Sequence, residues 1–170
     1  MAAKSIKPAA TDAALRAEHL HHETILLTMG RLYLVAGAAL FLAAIMIVAL
    51  RQTGEGLRVA SVFAMLAAGH AFAGLHLRGL DARARFSASV MAVLGLLAFP
   101  VGTVLSGYVL YLVHAPKGRR ILSPDYRAVV EKTPEYKCKV THAGFALGVA
   151  LVLVTVYPLW RFALMVRLGG

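Results

Sequence analysis

Seven histidines are the residues of this sequence most able to do chemistry. They are His19, His21, His22, His70, His76, His114 and His142. His70 stands out because it lies near the middle of an apolar run long enough to cross a bilayer. A histidine at that depth is costly and therefore marks a candidate functional site. His70 could ligate haem, carry a proton or bind a quinone oxygen.

A haem at His70 would need a partner ligand. In helical bundles a b-type haem takes two axial histidines at matching depth, and no other histidine here has the depth of His70. His76 is six residues away and so points from a different face of the helix. The second ligand would have to come from another chain, or from a methionine such as Met65 or Met91. A plain structural role is the alternative, in which His70 hydrogen-bonds to Thr103, Ser106 or Thr155.

The remaining groups do not form a catalytic or metal site. His114 and His142 flank one loop and could approach each other, but two histidines without a carboxylate make a weak zinc site. The segment from His19 to Glu23 has metal-compatible groups, although a solvated helix face explains it better. No Ser/His/Asp set, carboxylate pair or HExxH motif is present, so we predict no enzyme and no metal.

The composition requires lipid as the solvent for most of this chain. Of its 170 residues, 59% are hydrophobic and 15% are charged, and the mean hydropathy is +0.72. A bilayer core about 30 Å thick takes about 20 apolar residues in a helix. Four runs without Asp, Glu, Lys or Arg fit this length: 32–50, 59–77, 86–113 and 143–160. We therefore predict an all-α integral membrane four-helix bundle over residues 31–170.

Two features predict how these helices are shaped and packed. The third run is longer than a perpendicular span needs, and Pro100 in its middle predicts a kink, with a hinge or pocket as the alternative. Small residues spaced four apart let helix backbones approach closely. These helix-packing candidates are Gly69 with Ala73, Ala98 with Gly102, and Gly144 with Gly148.

The polar segments carry their own helix signals. Residues 1–30 contain no signal-peptide core, and we predict a tail with a possible amphipathic helix. The long loop 114–142 contains Ser123-Pro124-Asp125, which is typical of a helix start, and Thr133-Pro134, which ends it. We predict a short interfacial helix there, between helices three and four.

Charge does not decide the orientation of a four-span protein. An even number of spans puts both termini on one side, and the basic residues then divide nine to nine between the two sides, so the positive-inside rule returns a tie. The lack of an export signal favours cytoplasmic termini. The net charge is +10, and the Lys and Arg residues that cause it lie beside the apolar runs. This position favours contact with anionic lipids over nucleic acid.

Two stretches combine polar and glycine-containing motifs around the apolar runs. They are His22-Glu23-Thr24-Ile25 through Gly30-Arg31-Leu32-Tyr33, and Phe99-Pro100-Val101-Gly102-Thr103 with Gly107-Tyr108-Val109-Leu110, Leu122-Ser123-Pro124-Asp125-Tyr126-Arg127 and Thr133-Pro134. Over residues 19–142 they resemble a group of small, uncharacterised bacterial four-helix membrane proteins. Some of those carry a zinc ribbon ahead of the helices, whose cysteines this chain lacks. The resemblance implies a bacterial inner membrane and a cytoplasmic N-terminus, and it implies no activity.

Small size, a long third run and a polar loop together favour an accessory or structural subunit of a larger membrane complex. Its expected partners are other membrane subunits and anionic lipids. Two alternatives remain open at this point. One is a haem- or quinone-binding electron-transfer protein that uses His70, and the other is a small oligomeric transporter or channel.

Overall fold

The chain is all-helical in the part that the structure describes, as the sequence predicts, and that part contains no strand. The structure is a computed structural model that describes residues 7–50 and 53–136, together with 145–146, 148–150, 153–154, 157 and 161. Two of its helices, the first two below, are long and apolar enough to cross a membrane. The helices are α1 (Lys7–Leu50), α2 (Gly54–Arg78), α3 (Arg83–Gly95), α4 (Val101–His114), α5 (Pro116–Ile121) and α6 (Pro124–Lys132).

Helix α1 is one continuous helix of 44 residues. The predicted tail is thus helical from Lys7 and runs unbroken into the apolar run 32–50. Its first part is rich in Ala, Leu and Glu, which favour helix, and its proline lies in the first turn, where a missing N–H costs nothing. At 1.5 Å per residue the helix is about 66 Å long, more than twice a bilayer core.

Helices α1 and α2 form an antiparallel pair whose backbones touch. Thr53 caps the start of α2 by accepting a hydrogen bond from the Gly56 amide at 3.2 Å. A Cβ atom added to Gly30 would lie 3.0 Å from the Gly74 carbonyl oxygen, and one added to Gly37 would lie 3.1 Å from that of Ala67. Glycines at these two levels therefore allow the close approach.

The third apolar run is a helical hairpin rather than the single long helix predicted over 86–113. Helix α3 ends at Gly95, a turn follows over 96–100, and α4 runs back antiparallel. A hydrogen bond of 2.9 Å between Ser89 Oγ and His114 Nε2 joins the open ends of the two helices. Pro100 stands directly before α4, where its fixed φ suits a helix start, so it breaks the run instead of kinking it.

The hairpin turn satisfies most of its own backbone while exposing apolar side chains. The Leu97 amide donates to the Leu94 carbonyl at 3.2 Å, and the Ala98 amide donates to the Gly95 carbonyl at 3.1 Å. The Thr103 hydroxyl donates to the Leu96 carbonyl at 2.8 Å. Leu97 and Phe99 are each 84% exposed. This tip therefore presents an apolar surface with few free polar groups.

Because the hairpin returns, α5 and α6 lie beside the N-terminal part of α1. We call this end of the molecule the head: α1 up to Arg31, the turn 79–82, α5 and α6. One buried cluster joins these elements to the hairpin, and its members include Leu26, Leu77, Leu80, Ala84, Val113, Ile121 and Tyr126. The four-span prediction had put the loop 114–142 on the side opposite the N-terminus. The structure differs because the chain reverses at 96–100.

Candidate functional site

A cavity of about 280 Å³ lies among α1, α2, α3 and α4. Among the described residues that line it, three have polar side chains, Tyr33, His70 and Ser106, and the others are apolar. The volume is close to the lower end, about 300 Å³, of the range for small-molecule pockets. Such a space suits a single ring or a segment of an acyl chain. His70, the leading candidate from the sequence, therefore lines this cavity.

Geometry assigns the proton of the His70 imidazole. Its Nδ1 lies 2.8 Å from the Leu66 carbonyl oxygen, one turn earlier in α2. A carbonyl oxygen only accepts, so Nδ1 donates, and in a neutral ring Nε2 is then an acceptor. Within the described residues Nε2 has no hydrogen-bond partner, and it is not among the fully buried unpaired atoms. One acceptor is therefore open to a ligand.

Tyr33 forms the wall next to His70. The two ring centroids are 5.4 Å apart and the ring planes are tilted by 38°. The Tyr33 hydroxyl donates to the Ala88 carbonyl on α3 at 3.4 Å. This links three helices around the imidazole and restricts its orientation.

Of the hydroxyls expected to pair with His70, the two that the structure describes do not do so. The Thr103 hydroxyl donates to Leu96 in the hairpin turn. Ser106 is buried and lines the cavity, but its hydroxyl makes no hydrogen bond to His70. Thr155 lies outside the described residues. The helix's own carbonyl takes the role predicted for a neighbouring helix, because a histidine Nδ1 can reach back one turn.

Of the two methionines proposed as a second haem ligand, only Met91 reaches the cavity. Met91 lines it and is 7% exposed, whereas Met65 is 68% exposed on the outer surface of α2. The Met91 sulfur also packs against Gly69, where an added Cβ would collide with it. The cavity volume fits a small ring better than a porphyrin, so haem remains without support from the geometry.

A second buried polar site, absent from the sequence predictions, holds the head together. The Arg16 guanidinium forms an ion pair with Glu23 at 3.1 Å, and both side chains are buried. The Tyr126 hydroxyl donates to the same carboxylate at 2.8 Å. Arg16 also donates to the Thr133 hydroxyl at 3.0 Å, the Val130 carbonyl at 3.1 Å and the Thr133 carbonyl. We call these residues the head latch.

One sequence signal could have pointed to half of the latch. Arg16 and Glu23 are seven residues apart, which puts them on one face of a helix, two turns from each other. Their partners on α6 are more than 100 residues away, and no local pattern links them. Glu23, Tyr126 and Thr133 all belong to the stretches that carry the resemblance, and the structure brings those stretches into contact.

His19 and His22 have structural contacts in the head, whereas His21 is exposed. His19 is buried with its ring 5.9 Å from that of Tyr126. His22 Nε2 donates to the Leu112 carbonyl at 3.1 Å. The described residues contain no group of three or more side chains that could hold a metal ion. His142 lies outside them.

At the turn before α3, Asp81 Oδ1 accepts a hydrogen bond from the Arg83 amide at 2.9 Å. This bond to the charged form holds the pKa of the Asp81 carboxyl below its ordinary value. His76, two turns after His70, is the nearest histidine and lies 3.9 Å from Asp81.

The predicted packing residues lie at several different contacts. Ala73 is fully buried, Gly148 lies against Leu32, and Gly144 is outside the described residues. Ala98 and Gly102 meet each other inside the hairpin turn. The closest contact of α1 with α2 uses Gly30 and Gly74, which the four-residue spacing had missed.

Comparisons with protein-family models, curated proteins and solved structures find nothing that matches this chain. The resemblance to bacterial four-helix membrane proteins therefore stays a prediction, and the functional argument depends on the cavity and the head.

Proposed function

We propose that this chain is an integral protein of a bacterial inner membrane in which α1 and α2 span the bilayer and the α3–α4 hairpin enters it from the head side. Helices of 13 and 14 residues are about 20 Å long, too short for a 30 Å core. Non-helical backbone inside a membrane needs internal partners, and the hairpin turn supplies most of them. The exposed apolar side chains of α1, including Phe41 and Leu42, support a lipid environment.

The distribution of charge supports a cytoplasmic head. Residues 7–50 and 53–136 contain twelve Lys and Arg residues, of which only Arg58 lies at the far end. The other eleven belong to the head or the helix turns next to it: Lys7, Arg16, Arg31, Arg78, Arg83, Arg85, Lys117, Arg119, Arg120, Arg127 and Lys132. Cytoplasmic segments carry an excess of Lys and Arg. Among these twelve residues the returning hairpin thus gives a strong bias toward the head, whereas the nine-to-nine tie covered all eighteen Lys and Arg residues of the sequence.

Within this topology we propose that the protein binds a small lipid-soluble ligand. The cavity at His70 is the observation that carries this proposal. His70 is level with Gly37 in α1, where an added Cβ would lie 3.4 Å from the His70 Cβ, so the cavity sits deep in the apolar runs. Apolar walls with a few convergent polar groups are typical of ligand sites. An isoprenoid quinone or a lipid chain has suitable chemistry.

Filling the cavity tests the proposal directly. Ala36 lines the cavity, and Ala38 on the same helix is exposed. We expect wild type and Ala38→Phe, purified in mild detergent from the native host, to retain the same lipid-soluble molecule. Ala36→Phe should lose it, because the ring occupies its space. Native mass spectrometry measures the retained mass, and equal retention in all three proteins would contradict the proposal.

The accessory-subunit role is a second proposal, supported by the head. The head latch fixes α6 against α1, so the charged residues around it form a pre-organised surface on the side of the cytoplasm. The described residues contain no catalytic constellation that would suggest independent activity. The same native mass spectrometry tests this role, since a partner subunit at fixed stoichiometry supports it and a lone chain contradicts it.

A transporter or channel has less support from the described residues. The apolar stretches of α1 and α2 contain no Asp, Glu, Lys or Arg between Leu32 and Leu50 or between Val59 and Leu77. Ion and substrate pathways usually depend on such groups. A liposome flux assay that detects transport would restore this alternative.

A further inference from the structure

We infer that the His70 cavity selects ligands by the direction of a hydrogen bond: it takes a lipid-soluble ring that carries a hydroxyl donor, such as a quinol, in preference to the oxidised quinone. This inference rests on the proposed function, since it concerns the ligand of the same cavity. A quinol offers O–H donors, whereas a quinone offers carbonyl oxygens, which only accept. The two molecules otherwise have nearly the same size and apolar surface.

His70 is the group that distinguishes the two forms. Its Nδ1–H is committed to the Leu66 carbonyl at 2.8 Å, which leaves Nε2 as the acceptor. The reversed tautomer would set the Nδ1 lone pair against the carbonyl oxygen and lose that bond. A second proton on the ring would create a charge among apolar walls, where charge is costly. An incoming hydroxyl therefore finds a partner at Nε2, and an incoming carbonyl does not.

The other polar groups of the cavity do not reverse this preference. The Tyr33 hydroxyl donates to the Ala88 carbonyl, so it has no second hydrogen to offer and can only accept a further bond. The Ser106 hydroxyl can donate or accept and so favours neither form. The tilted Tyr33 ring packs against the imidazole and holds it in place, at 5.4 Å between centroids.

Binding of a matched redox pair tests the inference. The full chain in nanodiscs is titrated anaerobically with decyl-ubiquinol and separately with decyl-ubiquinone. We expect the quinol to bind about three- to tenfold more tightly, the effect of one net hydrogen bond. His70→Phe keeps an aromatic ring beside Tyr33 but removes the acceptor, so its two affinities should be equal and close to that of the wild type for the quinone. His76→Phe is the matched control and should keep the preference.

Three outcomes would overturn the inference: equal affinities in the wild type, a preference for the quinone, or a preference that survives in His70→Phe. If His70→Phe does not fold, the wild-type ratio alone still decides. A 1-decanol titration separates the sources of the hydroxyl, because decanol binding as tightly as the quinol would overturn the assignment of a quinol ring. If the quinol and the quinone both fail to bind, and Ala36→Phe retains the native ligand, the proposed function fails together with the inference.

Discussion

The head and the hairpin tip provide partners for their polar groups in opposite ways. In the head, Arg16, Glu23 and Tyr126 bury charge and satisfy it with partners from distant parts of the chain. At the tip, the turn 96–100 buries almost nothing and satisfies most of its backbone within a few residues. The head therefore depends on specific long-range pairing, and the tip depends on size and local geometry. The two regions should respond to different kinds of substitution.

Chemical labelling can test whether the head and the far end of α2 lie on opposite sides of the membrane, and the expected result is all or none. We expect Glu55→Cys to react with an impermeant maleimide in intact spheroplasts, and Lys117→Cys to react only after lysis, both in a Cys138→Ser background. Both positions are exposed, and the returning hairpin puts them at opposite ends of the molecule. A single helix over 86–113 would put them on one side, so equal labelling in intact spheroplasts would rule out the hairpin.

Removing one charge from the head latch should have the largest effect on stability. Glu23→Leu leaves the Arg16 guanidinium buried without its carboxylate, which costs about 3–5 kcal/mol. Thermal unfolding in detergent measures the loss, with the exposed Glu18→Leu as the control on the same helix. Arg16→Leu combined with Glu23→Leu should recover much of the loss, because an apolar pair can replace a buried ion pair. A single variant as stable as wild type would show that the latch does not hold the head.

Alanine substitutions at two glycines of α4 test how closely the hairpin is packed near its tip. A Cβ added to Gly102 would lie 2.8 Å from the Gly95 carbonyl oxygen, while one added to Gly107 meets nothing within 4 Å. Gly102→Ala should therefore destabilise the protein by about 1–3 kcal/mol through overpacking. Gly107→Ala should be neutral or stabilise by up to about 1 kcal/mol through helix propensity. Equal unfolding temperatures of the two variants would contradict the packing of the hairpin.

The smallest effect is expected at Asp81, in the turn between α2 and α3. Asp81→Ala removes the hydrogen bond to the Arg83 amide and should cost about 0.5–1 kcal/mol at neutral pH. The folded pKa of this carboxyl is lowered, so its contribution is present above its ordinary pKa of 3.8 and is lost as the pH falls through the lower folded value. Unfolding temperatures of the two proteins should therefore converge in acid, and a constant difference would exclude this origin.

Local signals predicted the local structure well. The sequence Ser123-Pro124-Asp125 predicted the start of α6, and the Ser123 hydroxyl does accept from the Tyr126 amide at 3.3 Å. The apolar runs 32–50 and 59–77 lie within α1 and α2. These features depend on residues within a few positions of each other, which a pattern along the chain records.

The hairpin and the latch depend on information that a local pattern does not hold. A re-entrant hairpin and one long span have the same apolar composition, and only Pro100 marks the difference. That one error placed the loop 114–142 opposite the N-terminus, whereas the structure places α5 and α6 beside the N-terminal part of α1. For the candidate site, hydropathy singled out His70, but the neighbouring Tyr33 ring and its bond to Ala88 depend on the packing of three helices.

Helix α1 connects the head latch rigidly to the wall of the cavity. Arg16 of the latch and Tyr33 of the cavity wall are on one uninterrupted helix, about 26 Å apart at 1.5 Å per residue. A stiff rod of this kind converts a tilt at one end into a displacement at the other. A partner bound to the head would therefore also displace Tyr33 in the cavity wall. A ligand that fills the cavity would oppose that displacement.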